Sequence, residues 1–263
     1  MPFSTIRLDR AGAVATITLS RPERLNAFTA AMHADLRGAL EQCADDARVR
    51  VVVLIGEGRA FSSGQDLTEE MPRGADGAIR LGGALERDYN PLVLRLASYP
   101  KVTVAAINGP AVGASMNIAL ACDIAVMARS AYLQEAFSKI ALVPDAGGTW
   151  ILPRLVGPKR ALAFMLSAEP IPADEALRLG LVYKVFEDSS FSAEVAAFAE
   201  KLAEGPGLAY RLTKQAVAAS LENDLQTQLA LEAALQAEAG ASADFSEGIS
   251  AFKAKRPPRF EGR

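Results

Sequence analysis

The run Phe137-Ser-Lys-Ile-Ala-Leu-Val-Pro-Asp-Ala-Gly-Gly-Thr-Trp150 sets one carboxylate, Asp145, into an apolar stretch, directly after Pro144 and just ahead of a glycine pair. An acid in such a place either leaves water or touches something that reacts. Leaving water raises a carboxyl pKa toward the range in which it takes up and returns protons. The same residue also suits the cap of a helix opening at Gly147, and local sequence does not separate the two readings.

Two further loops carry groups of the right kind. Arg59-Ala-Phe-Ser-Ser-Gly-Gln-Asp66 follows the apolar run Val51–Ile55, and Asn108-Gly-Pro-Ala-Val-Gly-Ala-Ser115 follows Val102–Ile107. Glycine lets backbone N–H groups come close to a ligand. The second loop opens a helix, whose first N–H groups have no acceptor within the helix. Two such loops can aim two donors at one oxygen, which is an oxyanion hole. By spacing alone the glycines read more simply as tight turns. None of these loops fits the phosphate-loop pattern or the dinucleotide fingerprint.

The elements that must hold these loops alternate. Ile6–Asp9 and Val14–Leu19 read as a hairpin around Gly12. Thr29 caps an amphipathic helix to about Ala47, with Met32, Leu36, Ala39, Leu40 and Cys43 at helical spacing. Val49–Ile55, a largely β-branched run, reads as a buried parallel strand and Val102–Ile107 as another. A helix is predicted over Ala78–Ala97 and a short one over Ala114–Ala121. Ile124–Ala128 and Tyr132–Glu135 are strands, and Leu181–Phe186 is extended. Beyond Ser192 the chain is nearly all helical, about 192–204, 207–221, 224–239 and 243–253. Strand–helix alternation implies parallel sheet with right-handed crossovers.

The 263 residues, half of them hydrophobic, suffice for a sizeable core. A net charge of -3 without a basic block argues against nucleic acid as a partner. The basic tail from Lys253 to Arg263 reads as a solvated end. No run reaches membrane-spanning length and no apolar leader opens the chain, so a cytoplasmic protein is expected. Cys43 and Cys122 read as reduced core thiols. The single histidine, His33, lies in a polar stretch and reads as a surface residue. One His and two distant Cys give no metal site and little room for a His-activated nucleophile.

Taken together the loops resemble the crotonase family, also called the enoyl-CoA hydratase/isomerase superfamily. The resemblance runs from Ile6 to about Phe260. It is carried, in order, by Arg21-Pro-Glu-Arg-Leu-Asn-Ala27, Phe61-Ser-Ser-Gly-Gln-Asp66, Ile107-Asn-Gly-Pro-Ala-Val-Gly-Ala114, Ala121-Cys-Asp-Ile124, Val143-Pro-Asp-Ala-Gly-Gly148 and Glu247-Gly-Ile-Ser-Ala-Phe-Lys-Ala-Lys-Arg256. Each is weak alone; six in order are strong. The resemblance implies an α/β fold, a spiral of ββα units over residues 1–195, with a C-terminal helical region, 196–263, that assembles trimers or dimers of trimers and completes the CoA site. It implies an acyl-CoA thioester substrate bound as an enolate, with coenzyme A carried by the substrate and no separate cofactor.

Carried over by position, the oxyanion donors are the backbone N–H groups of Gln65 and Ala114. Family members usually have glycine where Ala114 stands. Arg24, Leu25, Ser62 and Leu67 match positions lining the CoA site. Phe252 and Lys255 match residues that reach CoA from a neighbouring subunit. The hydratase glutamates are replaced, by Asn117 and by Phe137, so water addition is expected to be lost. Asp145 matches the active-site Asp of members that isomerise dienoyl-CoA esters or dehalogenate 4-chlorobenzoyl-CoA. Glu86–Val93, Ala136–Asp145 and Gly147–Arg154 are similar to members that isomerise the ring epoxide of phenylacetyl-CoA to an oxepin in phenylacetate catabolism and shift 3-enoyl double bonds to position 2. Phe137 and Trp150 are expected to wall the acyl site, Asn117 either to orient Asp145 or the substrate or only to hydrogen-bond the backbone, and Tyr89 and Asn90 to line the acyl pocket. The competing readings are a nucleophilic role of Asp145 on an aryl-CoA ring and a non-catalytic acyl-CoA-binding subunit.

Overall fold

The computed structural model describes residues 3–70 and 73–262, so Arg263 of the basic tail lies outside it. Nine strands occur among them: β1 (Ile6–Ala11), β2 (Val14–Leu19), β3 (Val51–Gly56), β4 (Val102–Ile107), β5 (Ala111–Val112), β6 (Ile124–Ala128), β7 (Tyr132–Gln134), β8 (Ile171–Pro172) and β9 (Lys184–Phe186). They make a large sheet in the order β1-β2-β3-β4-β6-β9 and a small one in the order β5-β7-β8. β1 and β2 are the expected hairpin, with Gly12 at φ +56° at its tip. From β2 to β9 every pairing in the large sheet is parallel. The β3 and β4 runs are almost wholly apolar because both faces are covered, the exception being Thr103, whose hydroxyl donates to Asp123 Oδ2 at 2.9 Å.

Thr29 caps the helix Ala30–Asp45, its hydroxyl accepting from the Met32 N–H at 3.2 Å. The buried stripe holds the five predicted apolar residues and also His33. His33 is therefore not a surface residue: it is 1% exposed, its ring packed edge-on against Tyr89 at 4.2 Å and beside Phe28 at 5.1 Å. Tyr89 from a distant segment, with Phe28 just ahead of the helix, covers a side of the helix that reads as polar locally. Burial pushes the imidazole down to about 4, so it is neutral.

The helix predicted over Ala78–Ala97 starts later, at Gly82. It passes through one π turn, Leu85–Tyr89, before continuing as Asn90–Ala97. Cys43 and Cys122 are free, buried thiols, as expected. After β9 the chain is helical over Phe191–Ala203, Gly207–Ser220, Leu225–Gly240 and Ala243–Ala254. The first of these packs Phe191, Val195, Ala199 and Ala203 into the main core and runs straight through residue 195.

What positions the site is the way the loops add to the small sheet. The loop after β3 crosses to β5, where the Ser62 N–H donates to Pro110 O and the Val112 N–H donates to Ser62 O. The Ser115 hydroxyl ties the same junction, donating to Ser62 O at 2.7 Å. The loop after β4 runs directly into β5, and the loop after β7 carries Asp145.

Candidate active site

Gln65 lies in a short parallel bridge with Phe28. The Phe28 N–H donates to Gly64 O at 2.7 Å, and the Asp66 N–H donates to Phe28 O at 2.9 Å. In a parallel ladder the intervening residue points its own N–H the other way, here away from Phe28. On that other side lies the turn at Val112–Ala114: a Cβ on Gly64 would come within 2.8 Å of Val112 O and 3.9 Å of the Ala114 nitrogen. Ala114 is the first residue of the helix Ala114–Leu120, after Gly113 at φ +58°, and its N–H precedes the first intrahelical bonds. The Gly64–Gln65 segment and the turn that opens at Gly113 are thus in contact, and alanine is accommodated because Gly113, not residue 114, takes the positive φ.

The first loop is pinned from below. Asn26, at φ +55°, donates from Nδ2 to Glu57 O and Ala60 O and accepts from the Arg21 N–H. Arg21 pairs with Asp66 at 2.9 Å, and Asp66 also accepts from Thr68, which holds its carboxyl well below its usual value. These contacts fix the segment between Leu25 and Leu67.

Asp145 does not cap a helix. The helix Gly148–Val156 has Gly147 at its N-cap and no side-chain cap bond. The Asp145 backbone oxygen accepts from the Gly148 N–H at 2.9 Å and from Asn117 Nδ2 at 2.9 Å, while its Oδ1 is buried without a partner. Burial pushes the carboxyl up to about 6. Asn117 comes from the helix that Ala114 opens and is fully buried, so that helix clamps the backbone of Asp145. The clamp is tight: a Cβ on Gly148 would lie 2.3 Å from Asn117 Nδ2. Phe137 is buried with its ring 3.8 Å from where a Gly113 Cβ would stand, so the second replaced glutamate position is an apolar wall beside the donor turn.

Tyr89 is buried and its hydroxyl donates to Gln65 Oε1 at 2.7 Å. Its phenol is pushed upward by burial and by the Asp145 charge. The π turn that presents Tyr89 leaves Asn90 exposed.

Some expected roles shift. Ser62 is wholly buried and its hydroxyl accepts from the Gly64 N–H at 3.2 Å, so it shapes the turn from beneath instead of lining it. Trp150 is 47% exposed with Arg154 stacked 3.9 Å above its ring, so in this chain it does not join Phe137 in a closed wall. Its helix turns it outward after the glycine pair. Arg24 and Leu67 are exposed and Leu25 is half-buried at φ +51°. Phe252 and Lys255 are exposed at the end of the helix Ala243–Ala254, which packs mainly against Leu225–Gly240.

One residue escaped the sequence reading. Glu135, directly after β7, is fully buried and neither carboxyl oxygen has a hydrogen-bond partner. Burial is the main force pushing it up, to about 8, with a contribution from the Asp145 charge. At the polar end of a predicted strand nothing in sequence distinguishes it from a solvated glutamate.

A family model described as enoyl-CoA hydratase/isomerase matches residues 9–263. A probable enoyl-CoA hydratase of Rhodobacter capsulatus is 48% identical over 263 residues, covering 100% of both chains. The 1,2-epoxyphenylacetyl-CoA isomerase of Escherichia coli is 45% identical over 250 residues, covering 95% of each. Among solved structures, an enoyl-CoA hydratase from Bacillus anthracis is similar with a TM-score of 0.92 and 33% identity, covering 99% of this chain and 100% of that one. Among the described residues, no helix is long and apolar enough to cross a membrane.

Proposed function

The chain belongs to the enoyl-CoA hydratase/isomerase family, and from that premise we propose that it is an acyl-CoA isomerase working through an enolate with Asp145 as its base. The observation that carries this reading is Asp145 itself: its Oδ1 is buried and unpartnered, and its carboxyl is raised to about 6. It lies on a loop clamped to the helix that begins at Ala114.

The thioester carbonyl oxygen lies between the N–H groups of Gln65 and Ala114. Asp145 takes a proton from the α carbon, and the C–H electron pair moves into the thioester, leaving the negative charge on its oxygen. Two preorganised donors in a water-poor site stabilise that charge, each by about 3 kcal/mol. In a 3-enoyl ester the conjugated charge extends to C4, and Asp145 returns its proton there, giving the 2-enoyl ester. In a ring-epoxide ester of the phenylacetyl type the charge passes into the ring, the epoxide opens and the ring expands to an oxepin, and the proton held by Asp145 returns to a ring carbon, so that the product is an isomer of the substrate. The 45% identity to an epoxyphenylacetyl-CoA isomerase supports the second substrate class. Hydratase names among the relatives weigh the other way. Against water addition stand the residues at the two hydratase positions, the amide Asn117 and the hydrocarbon Phe137, neither able to activate water as a carboxylate does. Coenzyme A enters as part of the substrate. The CoA end is read as meeting Arg24 and Leu67 of one chain with Phe252 and Lys255 of a neighbour, in a trimer or a dimer of trimers.

The test is Asp145→Asn, assayed with a 3-enoyl-CoA and with the ring-epoxide ester. Isomerisation should fall by roughly 10²–10⁴-fold, the usual weight of a general base, while CoA-ester binding stays within a few-fold. Near-normal turnover by that variant, or rapid hydration of crotonyl-CoA by the native protein, defeats the reading.

A further inference from the structure

Glu135 is a buried titratable group that the mechanism above leaves idle. It stands between two parts of the site. Its predecessor Gln134 accepts from the Gly113 N–H at 2.8 Å, beside the Ala114 donor, and two residues on is the Phe137 wall. Its own side chain turns inward to Asn117, the residue that clamps the Asp145 backbone. The Asn117 amide is near enough to oppose the upward shift of Glu135, yet no hydrogen bond of acceptable geometry reaches either Glu135 oxygen.

The cluster is short of hydrogens. Asn117 Oδ1, both Glu135 oxygens and Asp145 Oδ1 are buried acceptors without a partner. Asn117 spends one amide hydrogen on the Asp145 carbonyl. Four unmet acceptors in one low-dielectric spot are costly, and a fully ionised pair would add like-charge repulsion. A proton on one carboxyl removes a charge and turns an acceptor into a donor.

We propose that Glu135 is a positioning residue for Asp145, a carboxyl kept in its acid form inside the site so that Asp145 is the one charged carboxylate and the Asn117 clamp stays on the Asp145 loop. The inference rests on the reading of Asp145 as the base. With the two groups at about 6 and about 8, the pair carries one proton and one negative charge between those values. The charge acting on Glu135 is that of Asp145. The helix packed over it, Ala114–Leu120, carries no acid or base, and Lys139 of the neighbouring turn is exposed. When Glu135 ionises, the Asn117 amide is drawn to the new anion and its hold on the Asp145 loop is lost.

The experiment is a pair of measurements on the full-length protein and on Glu135→Gln, which keeps shape and donor but cannot ionise. Isomerisation of the CoA ester is followed from pH 5 to pH 9.5, reading each protein's rate at pH 9 against its own rate at pH 7. The native ratio should fall about tenfold, as a group titrating near 8 requires, and the Gln variant should lack that fall. Equal alkaline falls in both overturn the proposal. Infrared difference spectra of the carboxyl region, without substrate, give the second measurement. A protonated-acid band should be present at pH 7 in the native protein, be lost as pH rises through about 8, and be absent from the Gln variant. In Asp145→Asn the midpoint of that band should move to lower pH. No acid band at pH 7, or an unmoved midpoint, sinks the pairing whatever the enzyme's substrate proves to be. Failure of the isomerase reading itself would show instead as undiminished turnover in Asp145→Asn.

Discussion

A base must be ionised to take a proton and desolvated enough to want one, and Asp145 meets both conditions by its position. Half-buried after Pro144, it is lifted to about 6 by loss of water alone. The sign of the consequence follows directly. Below about 6 the group holds its proton and cannot act, so kcat/KM should drop about tenfold for each pH unit under that value and level off between it and about 8, where ionisation of Glu135 sets the alkaline fall. An acid limb lying instead near the ordinary carboxyl value would mean that Asp145 is solvated and not the base. Asp145 was legible in sequence because one acid in an apolar run is conspicuous. Glu135 was not, since it follows Tyr132-Leu-Gln134 and reads as the polar end of a strand. His33 failed for a related reason. What closes over it is chiefly Tyr89, 56 residues away, and no local pattern reports that.

At the scale of elements, two loops must meet to a few tenths of an ångström. β3 and β4 were legible because short runs rich in Val, Ile and other small or branched residues leave few alternatives, and the loops after them had to lie at one end of a parallel sheet. The contact itself was not legible. It depends on Gly64, which has φ +89° and whose missing side chain lets Val112 approach. The π turn at Leu85–Tyr89 was equally hidden, although it is what sends Tyr89 inward to Gln65 while Asn90 stays outside. Gly64→Ala makes the point testable. An added methyl meets Val112 O at 2.8 Å and forces a non-glycine residue into the left-handed region. The loops should part and both donors lose their common target. We expect kcat to fall by 10² or more, the scale of losing one oxyanion donor, with the acid limb at about 6 unchanged because Asp145 sits on a third loop. Normal kcat in a folded Gly64→Ala protein would show that the Gln65 donor is not used.

The whole molecule has a surface that one chain does not account for. The helix Leu225–Gly240 is sixteen residues long, nine of them Ala or Leu, yet it buries no residue. Leu225 is 75% exposed and Phe252, on the next helix, 83%. Helices of this length are stable in water chiefly through tertiary packing, and grouped exposed apolar side chains mark an association surface. A neighbouring copy is the partner that the family expectation supplies. On that expectation it would also bring a foreign Phe252 and Lys255 to each CoA site. The native chain should therefore sediment as three or six copies at micromolar concentration. Phe252→Asp places a charge where the partner would sit, without touching this chain's own core. It should shift the population toward single chains and raise KM for the CoA ester more than it lowers kcat, because Asp145, Gln65 and Ala114 all come from one chain. A native protein that sediments as a monomer, or a Phe252→Asp protein with unaltered KM and unaltered mass, would leave the exposed helix without this explanation.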